Sequence, residues 1–399
     1  MQKKLLVLAV AAAISAPAFA DDNTKVSVYG ILDVGYGNES KTVTTSTANV
    51  TPGASTKWTQ SALNFSAMTS SRLGFLATED MGDGTKATVK VETGISSNPM
   101  AGFSQTGSNT AGNGTFGTAA GLNGTTVDAT TLGSRELNLS VAFASATTVK
   151  AGYGSTPVRD ISLGYAADPG GNLIGNLLNN DATLGSNRAT SLDVIQQFGP
   201  VKAIVSLVKD KTSTTNTAGV VGSNDANGYL LGAEFKQDAL GVSFAYQNLK
   251  STVVNAATGL TTADTSQKIA ILGASYDFGA VKLMGEFANI KNADAAAAVA
   301  PGAGTGSRTY TSVGAQAPLG SVLAFAQVSM GTINRVTTAG VASESRKESG
   351  MTIGAKYNMS KITYAYVSVG NTNLKAGSVD ATAAAVKVSQ FALGLVHSF

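Results

Sequence analysis

Side chains that could carry out covalent or metal chemistry are scarce in this sequence. The 399 residues include 0 Cys and a single His, His397, close to the end of the chain. One histidine cannot serve both as the base of a hydrolase and as part of a metal-ligand cluster. Residues 112–117 fit the Gly-x-Gly-x-x-Gly pattern, but they lie in a Thr/Asn/Gly-rich stretch that is typical of a surface loop. The sequence therefore predicts no enzyme active site and no cofactor.

Charged side chains are the remaining candidates for a functional site. The chain has 28 Lys+Arg against 25 Asp+Glu, a balance that does not favour nucleic acid as a partner. Local placement matters more, because a few charges in a narrow, water-filled passage bias which ions enter it. Arg72 and Lys90 each lie on the polar face of an alternating segment, and Leu73 and Phe75 lie on the opposite face from Arg72. Both basic residues are candidates for such a passage.

The first twenty residues predict export. A basic start at Lys3 is followed by an apolar run and by a small-residue ending at Ala20. This pattern is typical of a secretory signal peptide cleaved between Ala20 and Asp21. No later segment of the sequence has the ~18 consecutive apolar residues that a spanning helix needs. We predict a signal peptide over residues 1–20 and one domain over residues 21–399.

The elements that must position the charged residues are strands. Apolar and polar residues alternate in segments of about ten residues, which are separated in turn by tight joints and by long Gly/Ser/Thr/Asn/Ala stretches. This pattern predicts an all-β fold, a transmembrane β-barrel of about sixteen antiparallel strands with short periplasmic turns and long extracellular loops. The predicted long loops are residues 39–62, 97–131, 155–186, 252–265 and 292–306.

The end of the chain predicts how the barrel closes. Leu395, His397 and Phe399 share one face of the last segment. An unpaired strand edge in lipid would leave backbone N–H and C=O groups without partners, so this segment should pair with the first strand, near residues 25–37. His397 is then expected on the lipid side near the periplasmic rim.

Three sequence motifs can be compared with those of known protein families. They are Val-Ser-Val-Tyr-Gly-Ile-Leu-Asp at 26–33, Ser-Arg-Leu-Gly-Phe at 71–75 with Thr-Glu-Asp-Met-Gly at 78–82, and the closing Gly-Leu-Val-His-Ser-Phe at 394–399. Together they resemble the general porins of Gram-negative bacteria, in their betaproteobacterial-type branch, and the likeness extends over the whole mature chain. The resemblance implies a trimeric, sixteen-stranded barrel in the outer membrane.

The resemblance also implies a constriction, formed where the third loop, residues 155–186, folds inward against a basic wall. The wall positions of the family fall on Arg72, Arg135 and Arg188. The loop offers the acids Asp160, Asp168 and Asp181. In such porins the barrel-insertion machinery reads the last strand, which assigns an assembly signal to Leu395, His397 and Phe399.

Two departures from the family pattern bear on selectivity. Leu76 and Tyr153 stand where the family often has basic residues, so the constriction should be less positive and only mildly anion-preferring. Alternation also puts Arg135 and Arg188 on the same faces as leucines. A bulge or a position at the rim is needed to keep both guanidinium groups in water.

The function that these observations favour is passive diffusion of small hydrophilic solutes and ions through a water-filled channel. A substrate-selective porin, and an outer-membrane adhesin or structural barrel, remain alternatives that conductance would separate. The expected partners are two further copies of the chain, outer-membrane lipid and lipopolysaccharide, the insertion machinery and the permeating solutes.

Overall fold

The computed structural model describes residues 23–44, 55–95, 133–215, 221–254, 261–295, 306–335, 344–375 and 385–399. The predicted signal peptide and the whole of the second predicted loop, residues 97–131, lie outside these residues. No helix in the described ranges is long and apolar enough to cross a membrane.

The described residues form seventeen strands that make one continuous sheet. The strands are β1 (Thr24–Thr44), β2 (Ser55–Phe65), β3 (Arg72–Gly82), β4 (Thr85–Gly94), β5 (Glu136–Ala142), β6 (Thr147–Ser155), β7 (Arg188–Phe198), β8 (Val201–Thr215), β9 (Val221–Gln237), β10 (Leu240–Val254), β11 (Thr261–Asp277), β12 (Lys282–Ala295), β13 (Gly306–Leu319), β14 (Val322–Arg335), β15 (Glu344–Asn358), β16 (Thr363–Leu374) and β17 (Ala385–Ser398). Every pairing between neighbours is antiparallel, as short connections between consecutive strands require.

The barrel closes between its first and last strands. β1 pairs with β17 from Ile31 opposite Ser398 to Thr44 opposite Ala385. The other edge of β1 pairs with β2 along residues 34–44 and with β3 along residues 24–31. β2 and β3 are therefore two halves of one barrel strand. Counted in this way the barrel has sixteen strands, and the predicted fold class and closure are confirmed.

Alternation divides the strands into a lipid face and a lumen face, as predicted. In β10, the outward Phe244 is 44 % exposed, whereas the inward Ser243 and Ala245 are 3 % and 0 % exposed. A shift of one residue in register would send every lumen residue of a strand into lipid, which fixes the pairing strongly.

The third loop folds into the lumen and carries three short helices, α1 (Pro157–Gly164), α2 (Leu177–Asn180) and α3 (Ala182–Gly185). Thr156 caps α1 through its side chain, and Pro157 occupies the first turn, where no backbone donor is lost. Side chains of the loop form one apolar cluster with inward residues of β10 to β13. Its members are Val158, Ile161, Tyr165, Leu177, Leu178, Leu184, Ala245, Ile269, Ile271, Ala288, Ile290 and Tyr310.

That cluster explains why the inner wall of β11 is apolar. Ile269 and Ile271 point inward and are 0 % and 1 % exposed, because the loop covers them. Full burial of such a side chain contributes roughly 1.5–3 kcal/mol. Gly273 completes the fit, since a Cβ at this position would come 2.5 Å from the Tyr165 ring. The loop is therefore fixed by packing against one side of the barrel.

Some predicted loop boundaries are wrong. β1 continues to Thr44 and β2 begins at Ser55, inside the predicted loop 39–62, so Trp58 is a strand residue. Outward positions there are Asn, Ser, Thr and Lys, and a strand that has left the bilayer needs no apolar face. The apolar alternation on which the prediction relied is therefore missing.

Candidate constriction site

Among the described residues, two inward segments narrow the lumen from different parts of the wall. One is the third loop, and the other is the bend at residues 66–71 that separates β2 from β3. Ser66 has a φ of 74°, a left-handed conformation that turns the chain inward. Ala67 and Met68 follow it and are 2 % and 0 % exposed. The bend was not predicted from the sequence.

Arg72 begins β3 directly after the bend and points into the lumen. Its Nη1 donates to the Ser70 carbonyl oxygen at 3.0 Å, and its Nε lies 3.7 Å from Glu92 Oε2. The same carboxylate accepts a hydrogen bond from Tyr29 at 3.0 Å. Glu92 thus holds Arg72 against the wall from which it projects.

Arg135 lies just before β5, and its side chain extends across the neighbouring strand β4. Its Nε donates to Glu92 Oε1 at 2.7 Å, and its side chain covers the inner face of Gly94. Arg188 is the first residue of β7. Arg135 thus precedes the first residue of its strand, whereas Arg188 is the first residue of its own.

Arg159 in α1 joins these arginines. Burial and the neighbouring cations Arg188 and Arg135 lower the pKa of Arg159 to about 10. Its Nη1 donates to Ser155 Oγ at 3.2 Å. Sequence reasoning missed Arg159, because a basic residue in the loop gives no periodic signal and only tertiary folding brings it beside the wall.

Further cations line the same side of the lumen. Lys90 shares the inward face of β4 with Glu92 and is partly exposed. Lys150 is neutralised by Asp193 on the adjacent strand, with Nζ and Oδ2 2.9 Å apart. Lys90 thus adds to the positive charge of this wall, whereas Lys150 adds little.

The three acids of the loop have different surroundings. Asp160 is exposed on α1. Asp168 is 2 % exposed and accepts hydrogen bonds from the amides of Gly170 and Leu173, at 3.0 Å and 2.8 Å. Burial raises the pKa of Asp168 to about 6, although these amides favour its ionised form. The structure places Asp168 inside the loop and away from the lumen surface.

Asp181 ties the far end of the loop to the wall. Its Oδ2 accepts from Arg308 at 2.7 Å and from the Tyr310 hydroxyl at 3.0 Å, and both partners lie in β13. Its Oδ1 accepts from the amide of Thr183 and caps α3. Asp181 therefore fixes the loop in place, and its charge is neutralised by Arg308.

The chain end has the geometry of a barrel seam. Gly30 and Phe399 exchange two backbone hydrogen bonds, of 3.0 Å and 3.1 Å. Phe399 is 53 % exposed and Leu395 is 45 % exposed on the lipid side. His397 forms a hydrogen bond of 2.9 Å with Thr363 of β16.

The chain matches a known family over most of its length. A family model described as Gram-negative porin matches residues 7–377. A search of curated proteins finds no match.

Solved structures share the fold. An anion-selective porin from Comamonas acidovorans is 20% identical, with a TM-score of 0.60 over 94% of this chain and 100% of that one. The trimer form of OmpT, an outer membrane protein of Vibrio cholerae, is 14% identical, with a TM-score of 0.59 over 95% and 100%. OmpF of Salmonella typhi in complex with daunomycin is 14% identical, with a TM-score of 0.57 over 95% and 99%.

Proposed function

Because the chain belongs to the Gram-negative porin family and is an outer-membrane channel, we propose that it conducts small anions in mild preference to cations. The observation that carries this proposal is the arginine cluster at the constriction. Arg72, Arg135, Arg159 and Arg188 gather around the carboxylates Glu92 and Glu136. The exposed acid that the third loop adds is Asp160.

The positive excess supports anion preference because both the barrel wall and the loop screen the lumen from bulk water, which strengthens the effect of each fixed charge. The anion selectivity named for the Comamonas porin is in agreement with this proposal. Glu92 keeps the preference mild, since it lies within 4 Å of two of the arginines.

The test is a reversal potential across a planar bilayer. With potassium chloride diluted tenfold on one side, an anion-preferring channel gives a potential of the sign set by chloride. A potential of the opposite sign would refute the proposed selectivity, and the absence of any conductance would point to an adhesin or structural barrel.

We further propose that three copies assemble into a trimer, as the name of the Vibrio structure states for that protein. Conductance steps in groups of three and a crosslinked product of three chains are expected. The passage is a channel without catalysis, and lipopolysaccharide surrounds it in the outer leaflet. A detergent-solubilised particle with the mass of one chain would count against the trimer.

Export and assembly complete the proposal. The signal peptide is removed between Ala20 and Asp21, so the outer-membrane form should begin at Asp21 when its N-terminus is sequenced. The insertion machinery then recognises the segment that ends in Leu395, His397 and Phe399.

A further inference from the structure

Asp33 is a carboxylate buried in the wall at the level of the inward bend. It is 0 % exposed. Its Oδ2 accepts from the backbone amides of Met68 and Thr69 at 2.7 Å and 2.8 Å, and its Oδ1 accepts from the Tyr366 hydroxyl at 2.9 Å. In the described part of the chain, its hydrogen-bond partners are therefore neutral donors, most of them in the bend. This carboxylate fixes backbone that would otherwise lack partners.

The backbone of Asp33 holds both ends of the same bend. The Ser66 amide donates to the Asp33 carbonyl oxygen at 2.9 Å. The Asp33 amide donates to Ser71 Oγ at 3.0 Å. One residue of β1 thus fixes the start, the middle and the end of the segment 66–71.

The bend in turn contacts the third loop. Asn172 donates through Nδ2 to the Ser66 carbonyl oxygen at 3.1 Å and to Ser70 Oγ at 3.3 Å. Its amide donates to the Met68 carbonyl oxygen at 3.2 Å. Gly170 packs so closely that a Cβ there would come 2.1 Å from that oxygen. A displacement of the bend would therefore disturb the loop.

Arg72 follows the bend and donates to the Ser70 carbonyl oxygen, so the path of the bend sets the direction of its guanidinium. We propose that Asp33 is a positioning residue for ion selectivity, which clamps the 66–71 bend and thereby aligns Arg72 with the third loop at the constriction. This inference rests on the proposed anion preference.

The sign of the effect separates positioning from simple electrostatics. If Asp33 acted only as a negative charge, its removal would make the lumen more positive and strengthen anion preference. If Asp33 positions Arg72, its removal weakens anion preference, because the guanidinium and the loop lose their fixed places. The two explanations predict opposite changes in reversal potential.

The experiment compares Asp33→Ala and Asp33→Asn in planar bilayers at 0.1 M salt. Asp33→Ala should lower the chloride-to-potassium permeability ratio about twofold and raise the open-channel current noise. Asp33→Asn keeps one acceptor oxygen for the bend amides, so its ratio should stay nearer the unmodified value. Asp277→Ala is the matched control, since Asp277 also accepts from a backbone amide, that of Gly279 at 2.8 Å, but in an exposed turn. The control should leave the ratio and the noise unchanged.

An unchanged or increased ratio in folded Asp33→Ala would overturn the inference, as would equal ratios for the Ala and Asn variants. Folding is checked by the heat-dependent mobility of the barrel on a gel. If Asp33→Ala does not fold, Asn172→Ala decides the matter, because it removes the two side-chain hydrogen bonds from the loop to the bend without touching β1. A normal ratio and normal noise in Asn172→Ala would then refute the coupling.

Arg72→Gln distinguishes this inference from the proposed function. An unchanged ratio in Arg72→Gln would refute Arg72 as a selectivity residue. The clamp itself would then still be tested by current noise, which must rise in Asp33→Ala if the bend fixes the loop. A fall in the Arg72→Gln ratio without any change in Asp33→Ala would refute the clamp alone.

Discussion

Replacing Arg72 with Glu changes the charge of the constriction by two units without altering the barrel. Arg72 is partly exposed in the lumen, with 25% of its side chain accessible, and Glu92 is retained by Arg135 through their own ion pair. The variant should therefore fold normally. We expect Arg72→Glu to abolish the anion preference in dilute salt.

The magnitude follows from the charges that act on one another around the constriction. They are the cations Arg72, Lys90, Arg135, Arg159 and Arg188 and the carboxylates Glu92, Glu136 and Asp160. Five cations against three carboxylates leave a net charge of two. At ~8 Å in water one unit charge is worth ~0.5 kcal/mol, and screening at 0.1 M salt reduces this to about half.

Two net charges then attract chloride and repel potassium by ~0.5 kcal/mol each, which predicts a permeability ratio of about five. Arg72→Gln should lower the ratio to about two, and Arg72→Glu to about one. At 1 M salt the Debye length falls to about 3 Å, so all three channels should give ratios close to one.

Reversal potentials in potassium chloride gradients measure these ratios. Lys361→Glu is the matched control, because it makes the same two-unit change in an exposed turn between β15 and β16. The control should behave as the unmodified channel. If Arg72→Glu keeps a ratio near five while Lys361→Glu does the same, Arg72 does not face the permeating ions, and Lys90, Arg135 and Arg188 become the residues to change.

Three further predictions follow from the same structure. Deletion of Phe399 removes the paired backbone bonds to Gly30, so the chain should accumulate in the periplasm, and normal surface levels measured by outer-membrane fractionation would contradict this. Asp181→Asn weakens the attachment to Arg308 and should increase current noise, whereas quiet channels would show that apolar packing alone fixes the loop. The raised pKa of Asp168 means that its contribution to loop docking is complete near pH 4 and is lost as pH rises through about 6. Noise should therefore be greater at pH 8 than at pH 5, and Asp168→Asn should remove most of that difference if Asp168 is its source.

The barrel could be predicted because its physical causes are local and periodic. Phe244 faces lipid and its neighbour Ser243 faces the lumen. Successive residues of a strand point to opposite faces, so the sequence itself shows this alternation. The seam was predictable for a related reason, since Phe399 ends a strand whose edge must be paired in lipid. Where lipid no longer contacts the strand, as in β2, the periodic signal ends before the strand does.

The constriction depends on contacts between distant parts of the chain, and these leave no local signal. Asp160, Asp168 and Asp181 look equivalent in the sequence, yet one is exposed, one is enclosed by amides of its own loop and one is paired with Arg308. Their surroundings differ because different parts of the loop pack on the barrel wall. That packing is set by the apolar inner face of β11, whose isoleucines read as ordinary strand residues until the loop is placed over them.

A water-filled barrel can hold a fixed constriction when one loop is both packed on its inner wall and tied to it by polar contacts. The loop has an apolar side that packs on β10 to β13, and polar contacts tie its middle and its far end, Asn172 to the bend and Asp181 to Arg308. Apolar packing supplies most of the free energy, because burial is non-directional and additive over many side chains. The polar contacts add direction, since each is satisfied at one position of the loop only. In the proposed clamp, a displacement of the loop by a few ångströms changes the lumen beside the bend that precedes Arg72, so ion selection depends on how Asp33, Asn172 and Asp181 hold the chain.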